Sequence, residues 1–411
     1  MKKTFGLALI VLFPVTLRAE DWPGWRGPRG DGTSAEKNIP IRWSATESIC
    51  WKTPIPGIGH SSPAVFGDKI FLTTCLLKEK ERVLLCLDRK KGNILWQQVV
   101  VTAPLERKHK LNSYASSTPA TDGKHVWITF LAYPDLIAAC YDIAGNLVWK
   151  KSPGKFYSVH GFCSSPILYK DTVIINGDQD AQGYLVALDK VTGEERWRVN
   201  RPNKTRSYCA PLIADNQMVM SGSKCVAAYN PDTGKQLWLI DGPTEQYVAS
   251  LVFGDGLFFL TTGYPEYHNM AIRPDGSVQW HEKNVPARKA AYVPSPIFFD
   301  KYFYVISDLG YLNCFETQTG KRLWLKQLGR HHSAAPVLAD GHLYLIDDEG
   351  ITHVLKAGPT FDVVSRNALE DECYSSPAIS GGQIFIRTNR YLFCIGEPSV
   401  NLKKQKTNPK Q

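Results

Sequence analysis

Residues 187–197 read ALDKVTGEERW, and this short stretch decides the fold. Apolar residues alternate with polar ones around an Asp-Lys-Val-Thr-Gly turn, where glycine can adopt the positive φ that a tight turn requires. The tryptophan stands four residues after the glycine, on the returning segment. Alternation on both sides of a short turn is typical of two antiparallel strands. The stretch therefore predicts a β-hairpin.

The same pattern recurs along the chain. Six hairpins place a glycine four residues before a tryptophan, and these tryptophans are Trp96, Trp149, Trp197, Trp238, Trp280 and Trp324. A proline before a short apolar strand recurs as a second landmark, at Pro63, Pro119, Pro166, Pro211, Pro296, Pro336 and Pro377. The fifth copy has Leu251 in place of the proline. Self-similarity at about 40–56 residues indicates one repeated supersecondary unit.

Each repeat has room for four antiparallel strands, here called a to d from the inside outwards. The strands are apolar on both faces, so neighbouring sheets must cover them, and a radial arrangement does so while exposing only short edges. The sequence therefore predicts an all-β, eight-bladed β-propeller of four-stranded antiparallel blades. The last repeat stops after YLFCIGE, residues 391–397, whereas ICWKTPI, residues 49–55, carries Trp51 with the spacing of a strand d. We expect this N-terminal strand to close the last blade. In the seventh repeat Val363 stands where tryptophan is expected.

These motifs resemble a known family. Residues 187–197, 230–238 and 319–324 resemble the tryptophan-docking motif of quinoprotein propellers. The opening at 21–34 and residues 51–71 are similar to exported pyrroloquinoline-quinone-binding-like propeller repeat proteins. The resemblance covers roughly residues 21 to 396 and implies that the tryptophans, Trp51 included, dock on the next blade. A small apolar residue would permit that approach, at Cys86, Cys140, Ala187, Ala228, Ala271, Cys314, Val354 and Cys394.

The resemblance leaves the activity open, because the same fold serves quinone-dependent dehydrogenases, outer-membrane assembly lipoproteins and uncharacterised exported proteins. A dehydrogenase would hold pyrroloquinoline quinone with a calcium ion. The Cys-Cys doublet that quinone alcohol dehydrogenases carry beside the cofactor is missing here. Little chain lies outside the propeller to hold a substrate. Catalysis is therefore a rival hypothesis, and no catalytic residue is singled out.

The two ends of the chain predict export. Lys2 and Lys3 precede the apolar run 5–17, which is typical of a signal peptide over residues 1–19 rather than of a buried element. A Gly/Pro-rich segment over 20–47, the propeller over 48–396 and a basic, disordered tail over 397–411 would follow. The net charge of +9 falls to about +2 without the leader and the tail, which disfavours nucleic-acid binding. The first cysteine is Cys50, so a lipid anchor has no attachment point.

The ten cysteines suggest disulfides in an exported chain, but no Cys-x-x-Cys motif occurs. Four of them occupy the small-residue position of the repeat and are explained by packing. We expect at least six free thiols. Two pairs are candidates for bonds: Cys75 with Cys86 on adjacent strands, and Cys50 with Cys394 beside the closing strand.

Two acidic clusters and a histidine pair are the candidates for a metal site. Asp178-Gln-Asp180 and Asp347-Asp348-Glu349 could supply oxygen ligands to calcium. Without the glycine-centred loop and closing glutamate of a dedicated site, solvated turn residues explain them better. His331 and His332 are adjacent and would point to opposite faces of a strand. The sequence predicts no metal site.

The connections from strand d to strand a all meet at one mouth of a propeller, and loops on a rigid scaffold carry function. They contain aromatic and histidine residues at His60, Tyr114, His160, Phe162, Tyr208, Tyr247, Tyr292, His331, His332 and Tyr374. Basic residues accompany them at Lys108, His109, Lys110, Lys204, Arg206, Arg288, Lys289 and Arg330. These rings either bind a ligand or fill the tapering channel, and the sequence leaves both alternatives open.

The leading hypothesis is a periplasmic or secreted scaffold that binds rather than catalyses. Its mouth would take a small anionic or aromatic ligand, or a peptide or glycan segment, with no nucleic acid and no stable membrane anchor. The predicted site comprises His60, Tyr114, His160, Arg206, Tyr208, Tyr247, Arg288, Tyr292, Arg330, His332 and Tyr374. One alternative is a quinone-dependent dehydrogenase. The other is an outer-membrane assembly partner that adds a partner's strand to a blade edge.

Overall fold

The structure, a computed structural model, describes residues 19–397 as a ring of eight antiparallel blades, which confirms the predicted propeller. The chain starts with β1 (Thr33–Ser34) and β2 (Ile49–Pro54). Blades 1 to 4 consist of β3 (Ala64–Phe66), β4 (Lys69–Leu76), β5 (Glu81–Asp88), β6 (Ile94–Thr102); β7 (Ala120–Thr121), β8 (His125–Ala132), β9 (Asp135–Asp142), β10 (Leu147–Lys155); β11 (Ile167–Tyr169), β12 (Thr172–Asn176), β13 (Tyr184–Asp189), β14 (Glu195–Asn200); and β15 (Leu212–Ala214), β16 (Gln217–Gly222), β17 (Cys225–Tyr229), β18 (Gln236–Asp241).

Blades 5 to 8 follow the same plan, and one 3-10 turn at Ala287–Lys289 precedes the sixth. They consist of β19 (Val252–Gly254), β20 (Leu257–Gly263), β21 (Tyr267–Ile272), β22 (Val278–Glu282); β23 (Ile297–Phe299), β24 (Tyr302–Ile306), β25 (Tyr311–Glu316), β26 (Arg322–Gln327); β27 (Val337–Ala339), β28 (His342–Ile346), β29 (Ile351–Lys356), β30 (Asp362–Ala368); and β31 (Ala378–Ser380), β32 (Gln383–Arg387), β33 (Tyr391–Ile395), which β2 completes.

Burial follows the radial order of the strands. Every residue of the third strand of blade 3, β13, is buried, whereas the outermost strand, β14, buries Trp197 among exposed neighbours. The inner strands are covered on both faces by neighbouring blades, so they read as continuous apolar runs rather than as alternating ones. The outer strands are half exposed and alternate.

The spacing of glycine and tryptophan has a structural reason that links successive blades. In blade 2, Trp149 Nε1 donates to the carbonyl of Lys190, 2.8 Å away in the next blade's outer turn. A Cβ on Gly193 of that turn would lie 2.6 Å from the indole, and its φ is +69°. The glycine thus makes the turn and leaves room for the preceding blade's tryptophan. The same Nε1 contact is made by Trp51, Trp96, Trp197, Trp238, Trp280 and Trp324.

Ring closure follows the predicted scheme. Strand β2 pairs antiparallel with β33, and Trp51 lies opposite Cys394. Trp51 Nε1 donates to the carbonyl of Arg89 in blade 1 at 2.9 Å, which is the docking contact made by the other tryptophans. The N-terminal strand therefore completes blade 8 and joins it to blade 1.

Blade 7 departs from the expected register. Ser365, not Val363, lies opposite Val354 at the docking position. In its place Trp43, from the N-terminal segment, stacks on Tyr344 with ring centroids 6.4 Å apart. The residue that faces Val354 stands eleven positions after it, whereas Trp197 stands ten positions after Ala187, so counting along the repeat misplaces the residue in blade 7. The N-terminal segment thus supplies the indole that blade 7 lacks.

The rest of that segment occupies the central channel. Trp22 exchanges two backbone hydrogen bonds with Val65 of blade 1, at 2.8 and 2.7 Å. Strand β1 then pairs in parallel with β27, the innermost strand of blade 7. Between them, buried Arg26 donates from Nη2 to the carbonyl of Pro296 in blade 6. Residues 22–34 therefore cross the channel and contact several inner strands.

Over residues 19–397 no helix has the length and apolar character that crossing a membrane requires. The predicted signal peptide, apart from Ala19, lies outside the described residues. The tail from residue 398 onwards also lies outside them.

All ten cysteines are free thiols in the structure. Cys75 lies opposite Arg82 and Cys86 opposite Phe71, so these two cysteines stand four positions out of register. That offset is about 13 Å along the strands and excludes a bond between them. Only Cys50 and Cys394 lie side by side across a strand pair.

We expect at least eight of the ten thiols to react in the denatured, unreduced protein. The remaining two are Cys50 and Cys394, which lie beside each other where β2 pairs with β33. Thiol titration in denaturant, with a fully reduced sample as reference, measures this number. A count below eight would contradict this prediction, because it would mean that cysteines other than Cys50 and Cys394 are paired.

Candidate functional site

The mouth of the propeller, formed by the d-to-a connections, opens into a cavity of about 520 Å³. Six of the predicted site residues line it: His60, His160, Arg206, Tyr208, Tyr292 and Tyr374. Residues from all eight connections reach the cavity wall because each blade contributes its connection to the same end. The mouth is therefore a real concavity on a rigid ring.

The rings of the mouth pair along its wall. His60 stacks near Tyr374 with centroids 4.7 Å apart, and His160 lies 6.4 Å from Tyr208. The Tyr208 hydroxyl shares a 2.7 Å hydrogen bond with Ser158. These contacts fix the rings against the wall and leave the cavity open.

The other predicted residues lie away from the cavity. Tyr247 is fully buried and donates its hydroxyl to the Gly242 carbonyl, and His332 is fully buried as well. The side chain of Arg330 is 88% exposed, 3.6 Å from Glu349. The remaining two residues outside the lining are Tyr114, which packs under Arg82, and Arg288, which lies in the 3-10 turn.

Trp25 closes the floor of the mouth cavity. It also lines a second cavity of about 430 Å³, which lies between residues 23–31 and the inner strands of blades 2 to 5. The indole thus separates two spaces in one channel. The sequence held no signal for this role, because residue 25 lies outside every repeat.

Two histidines and one arginine of the mouth contribute no unpaired positive charge at neutral pH. Burial, together with the nearby Arg387 and Lys108 charges, lowers the pKa of His60 to about 3. Burial and Arg206 also lower the pKa of His160. Arg206 itself donates to Asp180 at 2.7 Å. These two histidines are neutral and the arginine is already paired, so this part of the wall holds no free cation.

His331 differs from these two histidines, because its pKa is raised rather than lowered. Its Nδ1 lies 2.6 Å from an Asp348 oxygen, and this hydrogen bond raises the pKa of the imidazole. Asp348 also accepts from the backbone N–H of Ser333 at 2.8 Å. Asp348, in the turn between the second and third strands of blade 7, therefore holds in place the connection that leads into that blade.

The acidic turn of blade 3 is solvated at Asp180, as predicted, but not at Asp178. Asp178 is fully buried and accepts from Arg201 Nε at 3.0 Å and from the Ser207 hydroxyl at 2.9 Å. Arg201 also donates to the Gly222 carbonyl of blade 4. The carboxylate raises the pKa of Arg201 despite its burial. The turn residue is thus half of an ion pair that joins two blades.

The donor set of the mouth does not fit calcium with a quinone. Calcium takes six to eight oxygen ligands, several of them carboxylates. Among the residues lining the cavity only Asp308 carries a carboxylate, and it accepts the N–H groups of Tyr292 and Val293.

Of the exposed large apolar side chains within residues 19–397, nine lie on outer strands or at the opposite end of the ring, and seven lie at the mouth end. These seven lie on the d-to-a connections and the b-to-c turns, which together form what we call the mouth face. Its members are Ile58, Leu77, Tyr133, Tyr157, Val159, Tyr264 and Leu309, each at least 36% exposed. Tyr133 and Tyr157 meet edge to face at 6.0 Å. Val191, on an outer turn at the opposite end, is 64% exposed.

Comparison with known proteins identifies the family. Residues 80–251 and 269–358, more than half of the chain, match the family model described as outer membrane protein assembly factor BamB. The chain belongs to this family. The predicted membership of the quinoprotein-type propeller repeats is confirmed.

Curated BamB proteins align over different lengths. The BamB of Shewanella oneidensis is 24% identical over 51% of this chain and 54% of its own length. The BamB of Yersinia pestis is 20% identical over 82% of this chain and 85% of its own length. The match thus spans about half of the first relative. These relatives are named for the assembly of proteins, which contradicts the expectation of a small molecule, peptide or glycan as the partner.

Solved structures share the fold. BamB from Moraxella catarrhalis superposes with a TM-score of 0.62 at 13% identity, covering 84% of this chain and 98% of that chain. The quinohemoprotein alcohol dehydrogenase of Comamonas testosteroni reaches 0.67 at 13% identity, covering 95% and 82%. The fold alone does not separate the two, whereas the BamB family match supports the assembly alternative. The outer-membrane setting in the names of these relatives is consistent with the predicted export.

Proposed function

We propose that this protein acts in the assembly of outer-membrane proteins as a scaffold that holds a protein partner on its mouth face. The family match carries the proposal, and the mouth face supplies a surface for it. Scaffolds of this kind bind through exposed apolar side chains on a rigid frame.

The tyrosine pair between blades 2 and 3 is the strongest point of that face. Tyr133 is 53% and Tyr157 36% exposed, and the two rings pack on each other. Large aromatic side chains with free polar tips dominate binding at protein interfaces. Val159 extends the apolar surface beside them, and exposed Arg107 and Lys110 lie on the adjoining connection. This patch favours a protein surface with apolar and acidic side chains.

Backbone hydrogen bonds and aromatic packing fix the segment beneath the tyrosine pair. The backbone N–H of Tyr157 donates to Gln179 Oε1 at 2.9 Å, and Asp180 N donates to the Tyr157 carbonyl at 2.9 Å. Buried Phe156 packs edge to face on Phe162 directly beneath, at 5.0 Å. A preorganised surface loses little conformational entropy on binding.

Replacing both exposed tyrosines, Tyr133→Ala with Tyr157→Ala, is expected to reduce partner binding at least 10-fold while leaving the melting temperature almost unchanged. The rings are exposed, so their loss costs an interface more than it costs the fold. Weaker binding should lower the amount of outer-membrane proteins, which is measured in cells whose own gene for this protein is deleted and replaced by the variant.

The matched control is Val191→Ala, an apolar residue of equal or greater exposure at the opposite end. We expect this variant to restore the outer-membrane proteins fully. Unchanged outer-membrane proteins after complete deletion would refute the assembly role. Full restoration by the tyrosine variant would move the binding surface elsewhere, to the blade edges.

A further inference from the structure

The closing blade holds two cysteines in a geometry that no other blade has. Between β2 and β33 a bulge sets both Cys50 and Trp51 against the single residue Cys394. Residues at a bulge of this kind share the side of the sheet on which the opposing residue projects. The interaction of the two thiols, which lowers the pKa of Cys50, agrees with this placement.

The same bulge recurs before the tryptophan of the other docking blades, where it carries no cysteine. The position before the tryptophan is held by Leu95, Val148, Arg196, Leu237, Gln279 and Leu323. Blades 1, 2 and 6 do have a cysteine at the opposing position, namely Cys86, Cys140 and Cys314. Cysteine therefore faces cysteine only where the two ends of the ring meet.

We propose that Cys50 and Cys394 form a reversible disulfide that closes the propeller covalently. Strand β2 comes from the start of the ring and β33 from its end, so the bond would join residues that are far apart in sequence. It would replace noncovalent closure by a covalent ring. The proposal is independent of the assembly role.

The chemical setting suits such a bond. Cys50 is half-buried, and its interaction with the Cys394 side chain lowers the pKa of Cys50 to about 7. Gln383 Nε2 lies 3.6 Å from the Cys50 sulfur. The interaction with Cys50, together with burial, raises the pKa of Cys394. Cys50 is the attacking thiolate and Cys394 the resolving thiol.

Oxidation proceeds by exchange with a disulfide oxidant, such as the active-site disulfide of an oxidoreductase or oxidised glutathione. The Cys50 thiolate attacks one oxidant sulfur and releases the other as a thiolate, leaving a mixed disulfide. Cys394 loses its proton, attacks Cys50 Sγ and displaces the second oxidant thiolate. The protein loses two electrons and two protons overall, and the oxidant disulfide becomes two thiols.

The test is to incubate the full chain with oxidised glutathione at pH 8 and to count thiols in denaturant. We expect ten thiols to become eight, and a dithiol to restore ten. The oxidised form should melt roughly 5 °C higher, because the bond closes a very long loop and limits the unfolded chain. Mass spectrometry of peptides should link residue 50 to residue 394.

Cys50→Ala is the decisive variant, and Cys86→Ala is the control, because Cys86 holds in blade 1 the position that Cys394 holds in blade 8 but has Leu95 rather than a cysteine at the facing bulge. Oxidation should shift the melting temperature of Cys86→Ala and leave that of Cys50→Ala unchanged. Ten free thiols in the treated wild type would overturn the proposal. So would a loss of two thiols in Cys50→Ala, since the bond would then join other cysteines.

Discussion

A chain that begins after Gly57 is expected to be insoluble or to lose its cooperative melting transition. It would lack β2, so β33 would present an unpaired, apolar edge, which is a template for aggregation. It would also lack buried Trp43, and losing a buried tryptophan costs about 3–5 kcal/mol by itself. Soluble yield and thermal melting by circular dichroism measure the outcome.

A circular permutant provides the sharpest control for that truncation. It moves residues 20–57 behind residue 397 through a flexible Gly/Ser linker, so β2 can still pair with β33. Recovered solubility and melting would show that closure matters and chain order does not. Removal of residues 401–411, which lie outside the described residues, is expected to leave melting unchanged. Wild-type melting of the truncated chain would refute the closure argument.

Asp178→Ala is expected to destabilise the protein by about 3–5 kcal/mol, because it leaves the Arg201 guanidinium buried without a counter-charge. Both side chains are fully buried in the structure, and Arg201 also reaches Gly222 of the next blade. The loss should appear in the free energy of unfolding by denaturant. Adding Arg201→Met should recover part of it, because the buried charge is then gone.

The matched control lies two residues away. Asp180 makes a comparable contact with Arg206, but the two side chains are 30% and 20% exposed. Asp180→Ala should therefore cost less than about 1 kcal/mol. Equal losses from Asp178→Ala and Asp180→Ala would show that burial does not set the strength of these pairs.

The repeat could be derived from the sequence because its information is local. The glycine turn and the tryptophan that follows it specify six of the hairpins within about a dozen residues. The recurring strand landmark raises the number of repeats to eight, and a ring is the arrangement that covers their apolar faces. Counting the strands of each repeat showed that the last blade lacks strand d and that the segment with Trp51 belongs to no other blade. Closure of the ring by this segment was therefore predicted as well. Tertiary structure added the reason for the spacing: Gly193 gives room to Trp149 of the preceding blade.

The contents of the channel and the mouth were decided by tertiary structure alone. Trp25 and Trp43 lie outside the repeat, so no periodicity showed that one closes the mouth and the other replaces a docking tryptophan in blade 7. Residues of the rim occupy equivalent connections of different blades, but their side chains point in different directions. Arg206 therefore lines the cavity, whereas Arg330 faces solvent. Local hydrogen bonding and alternation determine the blades, whereas packing between residues far apart in sequence determines the site.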